Sequence, residues 1–370
     1  MHPFLICKSA DYPILRARAD RSPWSDMVTE ARRVLDEYDG TLPDDLTRRG
    51  FAIRDLAGAA SLLYVVDESA TERPLSVLAD LFEILPAHLI ESDDVYDNHP
   101  NKWSATVPMS SGHFNAVLAL DVIHNDLDAQ VLARYESALD DIAEWFWIKD
   151  RGHTNSTYGP RVIWALYRND ERLQEAMDLY RDGVADQMTV DGVGTNGGEY
   201  SLFRMNGQRT AKYGFMHVAE YTGVDPVYYD NPSIGEFYKW LFSASCSPFN
   251  NAVTFSDSGH DIHFSRGYPQ AGAWLAHRFS KQAAEYAAWR VARTGVRAPS
   301  DLLSYCATLE PLPQGRIPES RSWTDGGALL YENNTTEDAL CGQLWNVSKP
   351  AHNHFDANAI YLRVTVSTCC

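Results

Sequence analysis

The sequence has no Cys-x-x-Cys pair among its six cysteines, Cys7, Cys246, Cys306, Cys341, Cys369 and Cys370. That argues against a zinc ribbon or a thioredoxin-type redox site. Six cysteines in 370 residues are also too sparse for a disulfide framework, while leaving room for one or two bridges in an oxidising compartment. No stretch reaches the roughly 18 consecutive apolar residues that a membrane-spanning helix needs. The opening MHPFLICKSADY lacks the basic-then-apolar pattern of a secretory leader, so neither a span nor a signal peptide is expected. Basic residues are in deficit: 32 Lys and Arg stand against 50 Asp and Glu, a formal net charge of −18. Such a chain has no general attraction for nucleic acid or for an anionic membrane. It takes a polyanion only where basic side chains gather locally. No residue-level repeat is visible either.

The length, 370 residues, favours one large domain plus a smaller one. Hydrophobic residues make up 45% and charged residues 22%, an ordinary globular balance. The 10 Trp and 19 Tyr suit the flat C–H faces of sugar rings and suit a large aromatic core equally well. The first 300 residues read as helices: 24–38, 54–68, 74–90, 113–125, 128–149, 159–168, 171–186, 210–222, 233–245 and 270–294 carry apolar residues at helical spacing or are nearly wholly apolar. The linkers hold Pro, Gly, Asn and Asp. Helical hairpins in this rhythm pack either as an incomplete (α/α) toroid or as a plain solenoid. Beyond about residue 310 the texture changes to short alternating runs, GGALLYEN, LCGQLWNVS and AIYLRVTVS, which read as strands. The expected fold is therefore mainly α, an incomplete toroid over 1–310, followed over 311–370 by a short antiparallel β region with fewer strands than a stable sandwich uses. That is the pattern of a truncated two-domain architecture.

Three clusters carry chemistry. The loop Arg151-Gly-His153-Thr-Asn155-Ser-Thr-Tyr158-Gly159 precedes a helix, where polar residues either cap the helix or face a cleft. The block around Asp191-Gly-Val-Gly leads through Glu199 to Arg204, Arg209, Lys212 and Tyr213. With Arg151 and Arg161 these cations form either a solvated surface or a local basic patch that offsets the acidic balance. Positive neighbours favour the phenolate of Tyr213. In Lys349-Pro-Ala-His352-Asn-His354-Phe-Asp356 alternate residues share one strand face, a candidate metal corner or general base. A further group, Ser256-Asp257-Ser-Gly-His260-Asp261-Ile-His263, reads as a turn.

Together HPFLI…RARADRSPW, the DG…GGEYS…AKYGF block, SPFNNAVTFSDSG and HNHFDANAIYL resemble the heparinase II/III-type polysaccharide lyases. These belong to a clan, with alginate, hyaluronate and chondroitin lyases, that combines an α/α toroid with a C-terminal β domain. The resemblance implies a uronate polysaccharide cut by β-elimination. It implies Tyr213, in the Ala-Lys-Tyr-Gly context, as catalytic acid and base. Asn155 would neutralise the carboxylate with His153 nearby, and His352 would stand at the catalytic centre. His354 is implied as a zinc ligand, so that a zinc or other divalent metal in the β region is open while none is required for the chemistry. Arg204, Arg209, Lys212, Glu199 and Tyr158 are then expected to bind an anionic polysaccharide, and the chain to be secreted or periplasmic. Two other readings remain. One is a glycoside hydrolase on a similar toroid using two carboxylates from Asp191, Glu199 and Asp257. The other is a non-catalytic glycan-binding protein.

Overall fold

A computed structural model describes residues 2–100, 102–149, 154–185, 188–195, 214–224, 232–243, 245–246, 251–252, 280–294, 298–332, 340–348 and 358–364. The described chain is mainly helical and ends in an antiparallel sheet. It divides into two compact units: Met1–Asp182 with Asn206–Pro226 and Ala298–Thr308, and Gly183–Met205 with Val227–Arg297 and Leu309–Cys370.

The first unit is built on α1 (Tyr12–Arg18), α2 (Trp24–Asp36), α3 (Leu46–Val66), α4 (Glu72–Asn98), α5 (Trp103–Ile123), α6 (Ala129–Ile148) and α7 (Thr154–Arg168). It also holds most of α8 (Leu173–Ala185), together with α9 (Gly214–Thr222) and α12 (Leu302–Ala307). At its centre is α5, buried at every position from Ala105 to Ile123 and packed against α3, α4, α6 and α7. A helix surrounded on all sides needs no polar stripe. It does need small residues where a neighbour comes close. A Cβ on Gly50 of α3 would lie 2.5 Å from Pro108 Cβ, and one on Gly112 of α5 would lie 3.2 Å from Ile53 Cγ2. Glycine at both positions lets α3 and α5 approach at backbone distance. By contrast α6 has a single buried face, formed by Tyr135, Ala138, Leu139, Ile142, Ala143, Trp145 and Phe146 at helical spacing. Among the described residues of this unit, side-chain caps fix the starts of α3, α6 and α12. Asp45 accepts from Arg48 N, Asp128 from Gln130 N and Val131 N, and Asp301 from Ser304 N.

The amino-terminal strand of chain is tied down by α5. Asp121, with no exposed surface, accepts from Phe4 N and Leu5 N at 2.9 Å each and lies 2.7 Å from His2 Nδ1. The His2 ring stacks on His124 at 3.8 Å.

In the second unit α10 (Pro232–Ser243) packs on α11 (Lys281–Thr294). A small hairpin pairs β1 (Ser245–Cys246) with β2 (Asn251–Ala252). The main sheet runs β3 (Arg321–Trp323), β4 (Gly326–Glu332), β5 (Leu340–Asn346) and β6 (Asn358–Val364), each antiparallel to the next in chain order. Alternation decides the faces. Leu329, Gln343 and Trp345 are buried, whereas Leu330, Leu344 and Ile360 are exposed, with Leu344 directly opposite Ile360. A tight turn at 189–193 docks on the β3–β4 turn. Thr189 Oγ1 donates to Asp325 O, Asp325 N donates to Asp191 Oδ2, and Trp345 Nε1 donates to Gly194 O, at 2.8, 2.9 and 3.0 Å. Gly192 turns the chain at φ +80°, and a Cβ there would sit 2.5 Å from Phe237 N.

Several of the described helices differ from the sequence expectation. α3 starts at Leu46, eight residues before the expected 54, and α5 starts at Trp103, ten before 113. α4 runs on through Pro86 to Asn98. In α5 the run WSATVPMSSG has the composition of a loop, but its small side chains are what the close α3 contact requires.

Candidate active site

The helix α7 begins at Thr154, so the loop expected over 151–159 is helical from that residue on. Asn155 falls in the first turn of α7 and Tyr158 three residues later. First-turn N–H groups have no partner within their own helix and carry partial positive charge, so the α7 backbone at Asn155 favours an anion. His153, Glu199, Arg204, Arg209, Lys212, Tyr213, His352 and His354 lie outside the described residues. Tyr213 immediately precedes α9 in the chain, and the HNHFDAN run leads into β6.

The end of α6 and the middle of α7 are set among aromatic rings and charge. The guanidinium carbons of Arg161 and Arg172 lie 4.7 and 5.0 Å from the Trp147 ring centre, within cation–π range. Trp147 is half-buried. Arg172 is also paired with Asp170 and Glu144, which raise its already high pKa. Arg161 is only 2% exposed, and its guanidinium donates to Phe146 O. It is therefore a buried structural cation and does not belong to an exposed basic patch. On the neighbouring α4, Asp93 accepts from Trp145 Nε1 at 2.7 Å and pairs with Lys149 at 3.1 Å. Burial works against that carboxylate, yet these two donors hold it below the usual carboxylate range. Lys149 also reaches Asp97 at 2.6 Å, and the two carboxylates push its ammonium up. The Lys102 ammonium lies 4.3 Å from the Tyr96 ring centre.

Of the three carboxylates open to the hydrolase reading, Glu199 and Asp257 lie outside the described residues. Asp191 uses Oδ2 to hold the Asp325 N–H, a turn-fixing contact. Among the described residues no group of three or more His, Cys, Asp or Glu side chains converges to hold a metal ion. No helix among them is long and apolar enough to cross a membrane.

Buried titratable groups appear where the sequence offered no motif. His88 and His113 are nearly or fully inaccessible, and burial pushes each imidazole down to about 4. His113 Nε2 lies 3.0 Å from Leu139 O. Asp301 is buried, which pushes its carboxyl up, while Ser304 N and Oγ donate to it. Only the tertiary structure reveals the surroundings of these three residues. No family model and no curated protein matches the chain.

Proposed function

We propose that the chain is a polysaccharide lyase that cleaves a uronate-containing polysaccharide by β-elimination. In this reading the helical hairpins of residues 1–310 form an incomplete (α/α) toroid and 311–370 begin a C-terminal β domain. That division follows secondary structure, whereas the compact units interleave along the chain. The observation that carries the reading is the order of elements. Helices extend to Ala307, an antiparallel sheet follows from Arg321, and the HNHFDANAIYL run, one of the four stretches that resemble the lyases, leads into the last described strand.

The chemistry sets what each residue must do. The C5 proton of a uronate is weakly acidic while its carboxylate is charged. Asn155, assisted by His153, donates hydrogen bonds to the carboxylate and stabilises the enolate-like charge as it develops. Tyr213, as phenolate favoured by Lys212 and Arg209 close to it in the sequence, or His352, removes the proton. Tyr213 then protonates the departing glycosidic oxygen, leaving a C4–C5 double bond on the new non-reducing end. Arg204, Arg209, Lys212, Glu199 and Tyr158 bind the sugar chain. The chemistry needs no resident cofactor, with His354 the candidate ligand if the β region holds zinc. A polymeric anionic substrate places the enzyme in a secreted or periplasmic setting.

Incubation with a panel of uronate polymers tests this. A lyase generates an ultraviolet-absorbing unsaturated uronide, a hydrolase generates reducing ends without that absorbance, and a binding protein generates neither. Tyr213→Phe should lower kcat by about 10²–10⁴-fold with little change in Tm. Asn155→Ala should lower it by roughly 10²–10³-fold, whereas a purely capping Asn would lose about 1 kcal/mol of stability with turnover kept. Near-normal turnover by Tyr213→Phe overturns the tyrosine mechanism.

A further inference from the structure

We propose that Cys7 and Cys306 are a disulfide pair that clips the amino-terminal segment to α12 when the chain folds in an oxidising environment. The two residues are 299 positions apart in sequence, yet Cys306 is a near enough neighbour of Cys7 to raise its pKa. Both are free and buried, Cys7 at 2% and Cys306 at 6% exposure. Independent contacts bring the same stretches of chain together. Tyr305 Oη, next to Cys306, donates to Leu15 O at 2.7 Å. The carbonyl of Thr308 accepts from Trp24 Nε1 at 3.0 Å and from Arg18 Nη1 at 3.2 Å. Tyr221 of α9 donates to Asp11 at 2.6 Å, and α12 packs on α3 and α9. The chain that follows Cys7 is thus held against α12 and Thr308, at Leu15, Arg18 and Trp24, by hydrogen bonds that do not involve sulfur. Those bonds supply the fixed approach that a disulfide's narrow geometry requires.

The oxidant is a disulfide, either of a small thiol or of a protein oxidoreductase. One cysteine, deprotonated, attacks a sulfur of that disulfide. A mixed disulfide forms and one oxidant thiolate leaves. The second cysteine, also deprotonated, attacks the first cysteine's sulfur and expels the other oxidant thiolate. Two chain thiols are oxidised, one oxidant disulfide is reduced to two thiols, and the two protons end on those thiols. The neighbouring Cys306 and burial raise the Cys7 pKa well above its usual value, so the folded, reduced Cys7 is a poor nucleophile. Exchange therefore belongs to folding, before the segment docks.

The inference stands apart from the lyase reading and is tested without any substrate. The full chain is produced in an oxidising secretory compartment, alkylated under denaturing conditions, and digested with trypsin. Mass spectrometry should find the peptide of residues 1–8 joined to that of 298–316, two hydrogens lighter than the separate peptides and split by reductant. Reduction of the intact protein should lower Tm by roughly 5–15 °C, because the bridge closes a very long loop. The Cys7→Ser/Cys306→Ser double variant should show no difference between oxidising and reducing buffer. Recovery of the two peptides separately alkylated, or of Cys7 joined to any other cysteine, overturns the pairing.

Discussion

Replacing Asp121 tests the account of the amino-terminal segment most directly. Its carboxylate is wholly buried and accepts from Phe4 N and Leu5 N, with His2 Nδ1 2.7 Å away. Asp121→Ala leaves two backbone donors without an acceptor, and Leu5 itself has no exposed surface. A buried donor left unpaired costs about 1–3 kcal/mol, and the vacated carboxylate volume adds to this. Two such donors and the vacated volume together give an expected loss of about 3–5 kcal/mol. Asp121→Asn keeps one carbonyl oxygen and should lose roughly half as much. Urea unfolding followed by circular dichroism, with an unchanged m-value, reads the difference. Limited trypsinolysis at Lys8 should accelerate in parallel as the segment detaches. The control is Asp39, which accepts from Thr41 N and Oγ1 on an exposed turn. Asp39→Ala should change stability by no more than about 1 kcal/mol. An Asp121→Ala protein within about 0.5 kcal/mol of the parent would refute the claim that α5 anchors the amino-terminal segment through this carboxylate.

Acid should destabilise the protein through His88 and His113. Both are held neutral by burial, with folded values pushed down to about 4 against about 6.5 in the unfolded chain. The unfolded chain then binds more protons between those values. Their contribution is complete above about pH 6.5 and is lost as pH falls through about 4, on the order of 3 kcal/mol per imidazole. Asp301, pushed up by burial, opposes the trend at its lower end. Thermal melts across this window check it, and a flat Tm from pH 7 to 4.5 would contradict the neutral, buried assignment. Glycine substitutions test the packing of the central helix. Gly50→Ala drives a Cβ to 2.5 Å from Pro108 Cβ and 2.9 Å from its carbonyl carbon, and should cost about 1–3 kcal/mol. Gly159→Ala meets only Phe114 Cδ2 at 3.8 Å and should be nearly neutral; equal losses in the two variants would show that crowding is not the cause.

Much of the architecture was legible because periodic patterns and caps mark it. The 24–38 and 128–149 patterns coincide closely with α2 and α6, the latter starting where Asp128 caps it. The alternating runs after 320 became β4, β5 and β6. The central helix hid its start because a helix buried all round has no amphipathic signal, and Pro108 with Ser110, Ser111 and Gly112 imitates a loop. Asp121 was silent for a related reason: one polar residue in the apolar run Ala116–Ile123 carries no spacing to read. The Asp-Gly-Val-Gly turn was visible, but its docking on Asp325, 134 residues from Asp191, is a tertiary fact. Asn155 was expected in a loop and instead lies in the first turn of α7, since Thr154 already has helical backbone.

The interleaving of the two units governs the order in which the chain can mature. Residues Ala298–Thr308 return to the first unit only after most of the second has been synthesised. A ribosome emitting this chain from its amino terminus cannot release a finished first unit at residue 182. Until α12 emerges, Trp24 Nε1 lacks its acceptor at Thr308, Tyr305 is missing from Leu15, and the patch around Cys7 stays open. Completion of the first unit therefore waits for more than four-fifths of the 370 residues to be made. Truncation at any single point before residue 308 leaves that unit without its closing helix, so neither unit is available as a simple contiguous fragment.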